Sequence, residues 1–131
     1  MDAYKILYQG VPSGADTALY SVPARGAQQY TIAGDAADII PSVVDQNIQT
    51  IITQLIFCDA VGTSDTIDVH LTEASDTAAA AANMIFHALS VGANATERIK
   101  VNWPLSGGNT IRVVPTAGSI VTITVLGIEV K

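Results

Sequence analysis

Thr96-Glu-Arg-Ile-Lys-Val-Asn-Trp-Pro-Leu105, then Ser106-Gly-Gly-Asn109, then Thr110-Ile-Arg-Val-Val114 and, beyond Pro115-Thr-Ala-Gly118, Ile120-Val-Thr-Ile-Thr-Val-Leu-Gly-Ile-Glu-Val130 decide the fold class. In the first run Ile99, Val101, Trp103 and Leu105 share one parity while Arg98, Lys100 and Asn102 share the other. That is the period of two of a half-buried strand. Two glycines and an asparagine at 106–109 suit the positive φ values of a tight turn, so a hairpin is expected there. The second run alternates again, with Ile111 and Val113 inward and Thr110 and Arg112 outward. The last run is the longest and most β-branched. Its inward parity begins as Val121, Ile123 and Val125 and ends as Leu126, Ile128 and Val130. The reversal predicts a β-bulge at Val125-Leu126, helped by Gly127, and a bent strand able to serve both sheets of a sandwich.

Upstream the same signals recur. Strands are expected at 4–8 and 17–22, each closed by Gly or Pro. Residues 48–59 are nearly solid apolar, with Ile51, Ile52, Leu55, Ile56 and Phe57, and read as a central strand covered on both faces. Thr66-Ile-Asp-Val-His-Leu-Thr-Glu73 alternates cleanly, Ile67, Val69 and Leu71 inward against Asp68, His70 and Thr72 outward, and is expected to pair with the preceding strand through the 60–65 turn. Ser75-Asp-Thr-Ala-Ala-Ala-Ala-Ala-Asn83 carries the one helix signal, but alanine supplies little to dock, so at most two turns are expected. Residues 84–91 return as a strand. The reading is an all-β protein, an antiparallel β-sandwich of jelly-roll type with about eight strands and at most one short helix. It forms a single domain over 1–131, with 27–47 as an extended excursion or arm.

At 131 residues the chain can bury roughly two-thirds of its extended-chain surface without metals or disulfides. Hydrophobic residues make up 49% and charged ones 14%, with a mean hydropathy of +0.37, while no apolar run reaches the roughly 18 residues of a membrane helix. Sparse charge leaves little to keep copies apart, so the excess apolar surface is expected to meet protein, with no membrane partner. A net charge of −6 and six scattered Lys and Arg provide no basic stripe, which argues against nucleic acid. The one cysteine, Cys58, sits in the apolar Leu55-Ile-Phe-Cys58 run and reads as a buried, quiet thiol, in keeping with synthesis in a reducing cytoplasm. The opening Met1-Asp-Ala-Tyr-Lys5 lacks the basic start and apolar core of a signal peptide.

No residue pattern points to an enzyme. His70 and His87 lie on different strands without zinc-ligand spacing. Asp59, Asp65, Asp68, Glu73 and Asp76 are dense but lack the spacing of a calcium loop, so solvated turns are the expected reading and no metal or cofactor is called for. Phosphate-loop, dinucleotide and nucleophile-elbow signatures are missing. Trp103, on the inward parity, reads as a core or subunit-interface residue. The excursion 27–47 carries Ile32, Ile39, Ile40, Val43 and Val44, each worth about 1.5–3 kcal/mol when buried, and these are the candidate protein-interface residues.

Four phrases, Thr17-Ala-Leu-Tyr-Ser-Val-Pro-Ala24, Ile51-Ile-Thr-Gln-Leu-Ile-Phe-Cys58, Asn109-Thr-Ile-Arg-Val113 and Val121-Thr-Ile-Thr-Val-Leu-Gly-Ile-Glu-Val130, resemble the small β-sandwich virion proteins of tailed bacteriophages. The resemblance covers roughly three-quarters of the chain, and its motifs are structural punctuation. The chain departs from the pattern by inserting 27–47 before the long apolar strand; an alternative alignment starts that strand at Ile40-Pro-Ser42, and the choice decides whether the first 38 residues are core or arm. What the resemblance implies is a non-enzymatic capsid decoration (cement) protein on the head surface, often a homotrimer, with itself and the major capsid protein as partners. A tail- or fibre-associated protein, or a carbohydrate-binding sandwich for host attachment, is the alternative.

Overall fold

A computed structural model describes residues 3–23, 29–31, 39–41, 49–76 and 78–130. Its strands are β1 (Ala3–Gly10), β2 (Thr17–Ser21), β3 (Gln29–Thr31), β4 (Ile39–Pro41), β5 (Gln49–Asp59), β6 (Asp65–Thr72), β7 (Met84–Val91), β8 (Thr96–Leu105), β9 (Thr110–Pro115) and β10 (Val121–Val130). The expected helix is a single 3₁₀ turn, Ala81–Asn83.

Eight strands form two antiparallel four-stranded sheets, sheet A in the order β1-β10-β5-β8 and sheet B in the order β2-β9-β6-β7. Among the described residues β3 and β4 pair only with each other. The pairs nest: β1 with β10, β2 with β9, β5 with β8, β6 with β7. One long two-stranded ribbon, rolled up, then brings β10 against β5 and β9 against β6. That is the jelly roll expected from the alternating runs.

The inner faces meet over a core of Ile52, Leu55, Phe57, Ile123 and Val125 from sheet A and Leu19, Ile67, Val69, Ile111 and Val113 from sheet B. Trp103 packs inward as expected, its ring 5.8 Å from Phe86 of the facing sheet, and closes one side of the sandwich.

Nesting corrects several expectations. The 106–109 turn is real but is no hairpin, because β8 lies in sheet A and β9 in sheet B. Asn109 N–H donates to Ser106 O at 3.0 Å, and of the two glycines only Gly108 has positive φ, +87°. A two-residue hairpin of the primed type with both glycines positive would fold β9 back on β8; one positive value at the third position is a type II turn that lets the chain change sheets. The turn is tied to the end of β2 by Gly108 N–H to Val22 O and Val22 N–H to Asn109 O, both 2.9 Å. Likewise the 60–64 connection joins β5 to β6 across the sandwich and does not pair them.

The bulge predicted in β10 falls instead on its neighbours. β10 keeps one parity throughout, Val121, Ile123, Val125, Gly127 and Glu129 all inward and buried. Register slips by one residue at Thr53 of β5 and at Leu7 of β1, where each has one residue more than β10. Thr53 Oγ1 donates to Leu126 O at 3.2 Å and fills the irregularity. Gly127 is needed because a Cβ there would lie 2.6 Å from Ile51 O and 2.7 Å from Leu7 Cδ1. Leu126, Ile128 and Val130 therefore face outward.

Four further residues, Ile51, Ile56, Cys58 and His70, differ from expectation for the same reason, the identity of the layer that covers each face. Among the described residues β5 is covered on one face: Ile52, Leu55 and Phe57 are buried, but Ile51 and Ile56 are half-buried on the outside. Cys58 shares that outer parity and is half-buried rather than buried. His70, expected outward and wet, is only 3% exposed, because the segment before β7 folds over the outside of sheet B. Of the arm 27–47 only the backbone of β3 and β4 is described, so Ile39 and Ile40 are placed by backbone alone and Ile32, Val43 and Val44 lie outside the described residues.

Candidate functional site

The two outer faces of the sandwich differ in chemistry. Sheet B is roofed. His70 Nδ1–H is directed at Ala80 O (3.1 Å) and Asn83 Oδ1 (2.8 Å), while Asn83 Oδ1 also accepts from Ala80 N–H at 2.9 Å. Asp16 accepts from Ala79 N–H at 2.8 Å and from Arg112 Nη1 at 3.4 Å, tying the same segment to β9. These short polar side chains hold a backbone of alanines in place where no apolar side chain docks it. At the sheet edge Asp68 Oδ1 accepts from Ala88 N–H at 2.7 Å and stands 3.2 Å from His87 Nδ1.

Sheet A carries no such roof among the described residues. Directly opposed residues point to the same side of a sheet, so the pairing register assigns its outer face row by row. The first row, Tyr4, Ile128, Ile51 and Pro104, is apolar across all four strands. In the second row Ile6 and Leu126 continue it until Gln54 and Lys100, and in the third Gln9 and Thr124 lead to Ile56 and Arg98. Tyr4 is 61% and Ile6 57% exposed, while Leu126, Ile128 and Ile51 are half-buried. An apolar band thus crosses one end of sheet A, flanked on β8 by the exposed cations Arg98 and Lys100. Bands of this kind mark contact surfaces.

The same end holds the main inter-sheet polar contact. Glu129, inward on β10, receives Tyr20 O–H at 3.1 Å from sheet B and lies 3.0 Å from Lys5 Nζ. Tyr20 O is also 3.0 Å from Thr50 Oγ1. Burial, and then the Glu129 carboxylate, push the Tyr20 phenol above its ordinary range.

Buried carboxylates brace the opposite end. Asp65 accepts from Thr66, Ala117 and Gly118 N–H at 2.8–3.1 Å, and Asp59 Oδ1 accepts from Val61 and Gly62 N–H at 3.0 and 2.9 Å. Two of the five acids that raised the calcium question are therefore turn anchors, each engaged with backbone amides. Among the described residues no group of three His, Cys, Asp or Glu side chains is placed to hold a metal, and no helix is long and apolar enough to cross a membrane.

The apolar band was missed because its residues were assigned to a covered β5 and a bulged β10. The signal that locates it is the double parity of those two runs, apolar on both sides. Of the expected interface residues, Ile32, Val43 and Val44 lie outside the described residues, and Ile39 and Ile40 are described by backbone alone. No protein-family model and no curated protein matches the chain.

Proposed function

We propose that the protein is a non-enzymatic structural part of a virion, a capsid decoration (cement) protein that assembles with itself, as a homotrimer, and docks on the head shell of a tailed bacteriophage. The observation that carries the self-assembling part is the apolar band Tyr4–Ile128–Ile51–Pro104 on sheet A, which has no roof among the described residues. The head location and the trimer rest on the four sequence phrases shared with small phage β-sandwich proteins, a resemblance with which the jelly-roll topology is consistent. Virion proteins of this kind work by burying surface between neighbours, and an acidic, weakly charged chain rich in β-structure suits that task.

The test is localisation. Antibody raised against the chain and applied to purified particles from cells carrying its coding sequence should decorate the head surface in immunogold micrographs. Label confined to the tail moves the assignment to a tail-associated protein. Particles free of the protein overturn the virion reading altogether.

A further inference from the structure

The apolar band and the stretch between β2 and β5 have complementary chemistry. Among the described residues the charged side chains on the outer face of sheet A are Arg98 and Lys100, both cationic in a chain of net charge −6. Residues 26–48 contain Asp35, Asp38 and Asp45, no Lys or Arg, and the apolar Ile32, Ile39, Ile40, Val43 and Val44. Within that stretch β3 and β4 make a ladder of three residue pairs and join neither sheet. An isolated two-stranded ladder is marginal in water and gains by lying on an apolar surface.

We propose that the 26–48 stretch of one copy of this chain seats on the outer face of sheet A of a second copy, its apolar residues over Tyr4, Ile6, Leu126 and Ile128 and its aspartates toward Arg98 and Lys100. The proposal deepens the reading above and rests on its premise of self-assembly. The stretch rejoins the sandwich at Gln49, which pairs with Val130 at the end of sheet A where the band lies. Tyr4 and Ile6 are more than half exposed, which leaves them open to a segment of a second copy. Each copy then offers one arm and one face. Two different patches make a head-to-tail contact, which closes into a ring when the rotation permits and needs no two-fold axis.

Sedimentation equilibrium of the full chain tests this. The wild type should run above monomer mass, and Tyr4→Lys with Ile6→Lys should weaken self-association by about 100-fold or more while leaving the unfolding curve in place, since both side chains sit on the surface of an edge strand. Arg98→Glu with Lys100→Glu should weaken it, as should Asp35→Lys with Asp38→Lys, and a chain carrying all four reversals should regain assembly. A monomeric wild type, or an oligomer indifferent to the Tyr4 and Ile6 substitutions, overturns the proposal. Loss in both charge pairs without recovery in the combined chain removes 26–48 as the occupant. Head labelling of particles together with an oligomer indifferent to these changes sinks this interface and leaves the virion reading standing; the expected oligomer with unlabelled particles does the reverse.

Discussion

Gly108 bears more on this fold than the neighbouring Gly107. It has φ +87°, and a Cβ there would come within 2.4 Å of Ala74 Cβ, so both backbone and space call for glycine. Gly108→Ala should cost about 1–3 kcal/mol in urea unfolding, whereas Gly107→Ala, at an ordinary φ, should stay within about 0.5 kcal/mol. Equal losses at both sites would contradict the turn assignment. Cys58, half-buried on the outer face of sheet A, should react with a thiol reagent in the native protein, more slowly than in denaturant but without prior unfolding. Complete protection of the native thiol would show that face to be covered there. Tyr20 offers a pH test. Its folded-state pKa is raised by burial and by Glu129, so its contribution is fully present below the unfolded tyrosine value of about 10 and is lost as pH rises through the higher folded value. Wild type should therefore lose stability above pH about 10 more steeply than Tyr20→Phe, which at neutral pH should itself be about 0.5–1.5 kcal/mol less stable for want of its hydrogen bonds to Glu129 and Thr50.

Among the elements, β5 and β7 depart from regularity for different reasons. β5 changes parity at Thr53, burying Thr50 and Ile52 before the slip and Leu55, Phe57 and Asp59 after it. It can thereby present Ile51 and Ile56 on one outer face while keeping its core residues inward. β7, an edge strand of sheet B, is kinked at Ala88, which holds φ 51° with its N–H bonded to Asp68. A bent edge resists pairing with another chain, and the non-glycine left-handed residue is the local cost of that bend. Ala88→Gly should relieve it and leave the protein as stable as wild type or up to about 1 kcal/mol more stable by thermal unfolding. Asp68→Ala, which removes the acceptor, should lower stability by about 1–2 kcal/mol.

For the whole molecule, the nested ribbon predicts that the sandwich does not depend on the 24–48 stretch for its topology. β2 lies beside β9 and β5 beside β8, and the matching β8-to-β9 corner is spanned by Ser106-Gly-Gly-Asn109 alone. Replacing 24–48 with a linker of about six residues should remove no more strand signal by circular dichroism than β3 and β4 supply and leave cooperative unfolding intact. Loss of the folded state would mean that the stretch completes the core. Much of this architecture was legible in the chain. Runs at 67–72, 98–103 and 110–113 alternate strictly, and since adjacent strand residues face opposite ways, a strict alternation identifies both a strand and its buried side. Partners were another matter. Short glycine-containing links at 60–64 and 106–109 look like hairpins because the conformational demand of a tight turn is local, while the choice between returning to the same sheet and crossing to the other depends on which strands are already paired. Residues apolar on both parities, Ile51, Ile56, Leu126 and Ile128, could not be assigned a side from sequence, for hydrophobicity reports that a side chain seeks cover and not what supplies it. His70 shows the converse: a polar residue on an outward parity became buried because a distant alanine segment, held by Asp16 and Asn83, folded over it. Local periodicity determined the strands; long-range pairing alone decided which faces they bury and which apolar side chains stay on the outer face.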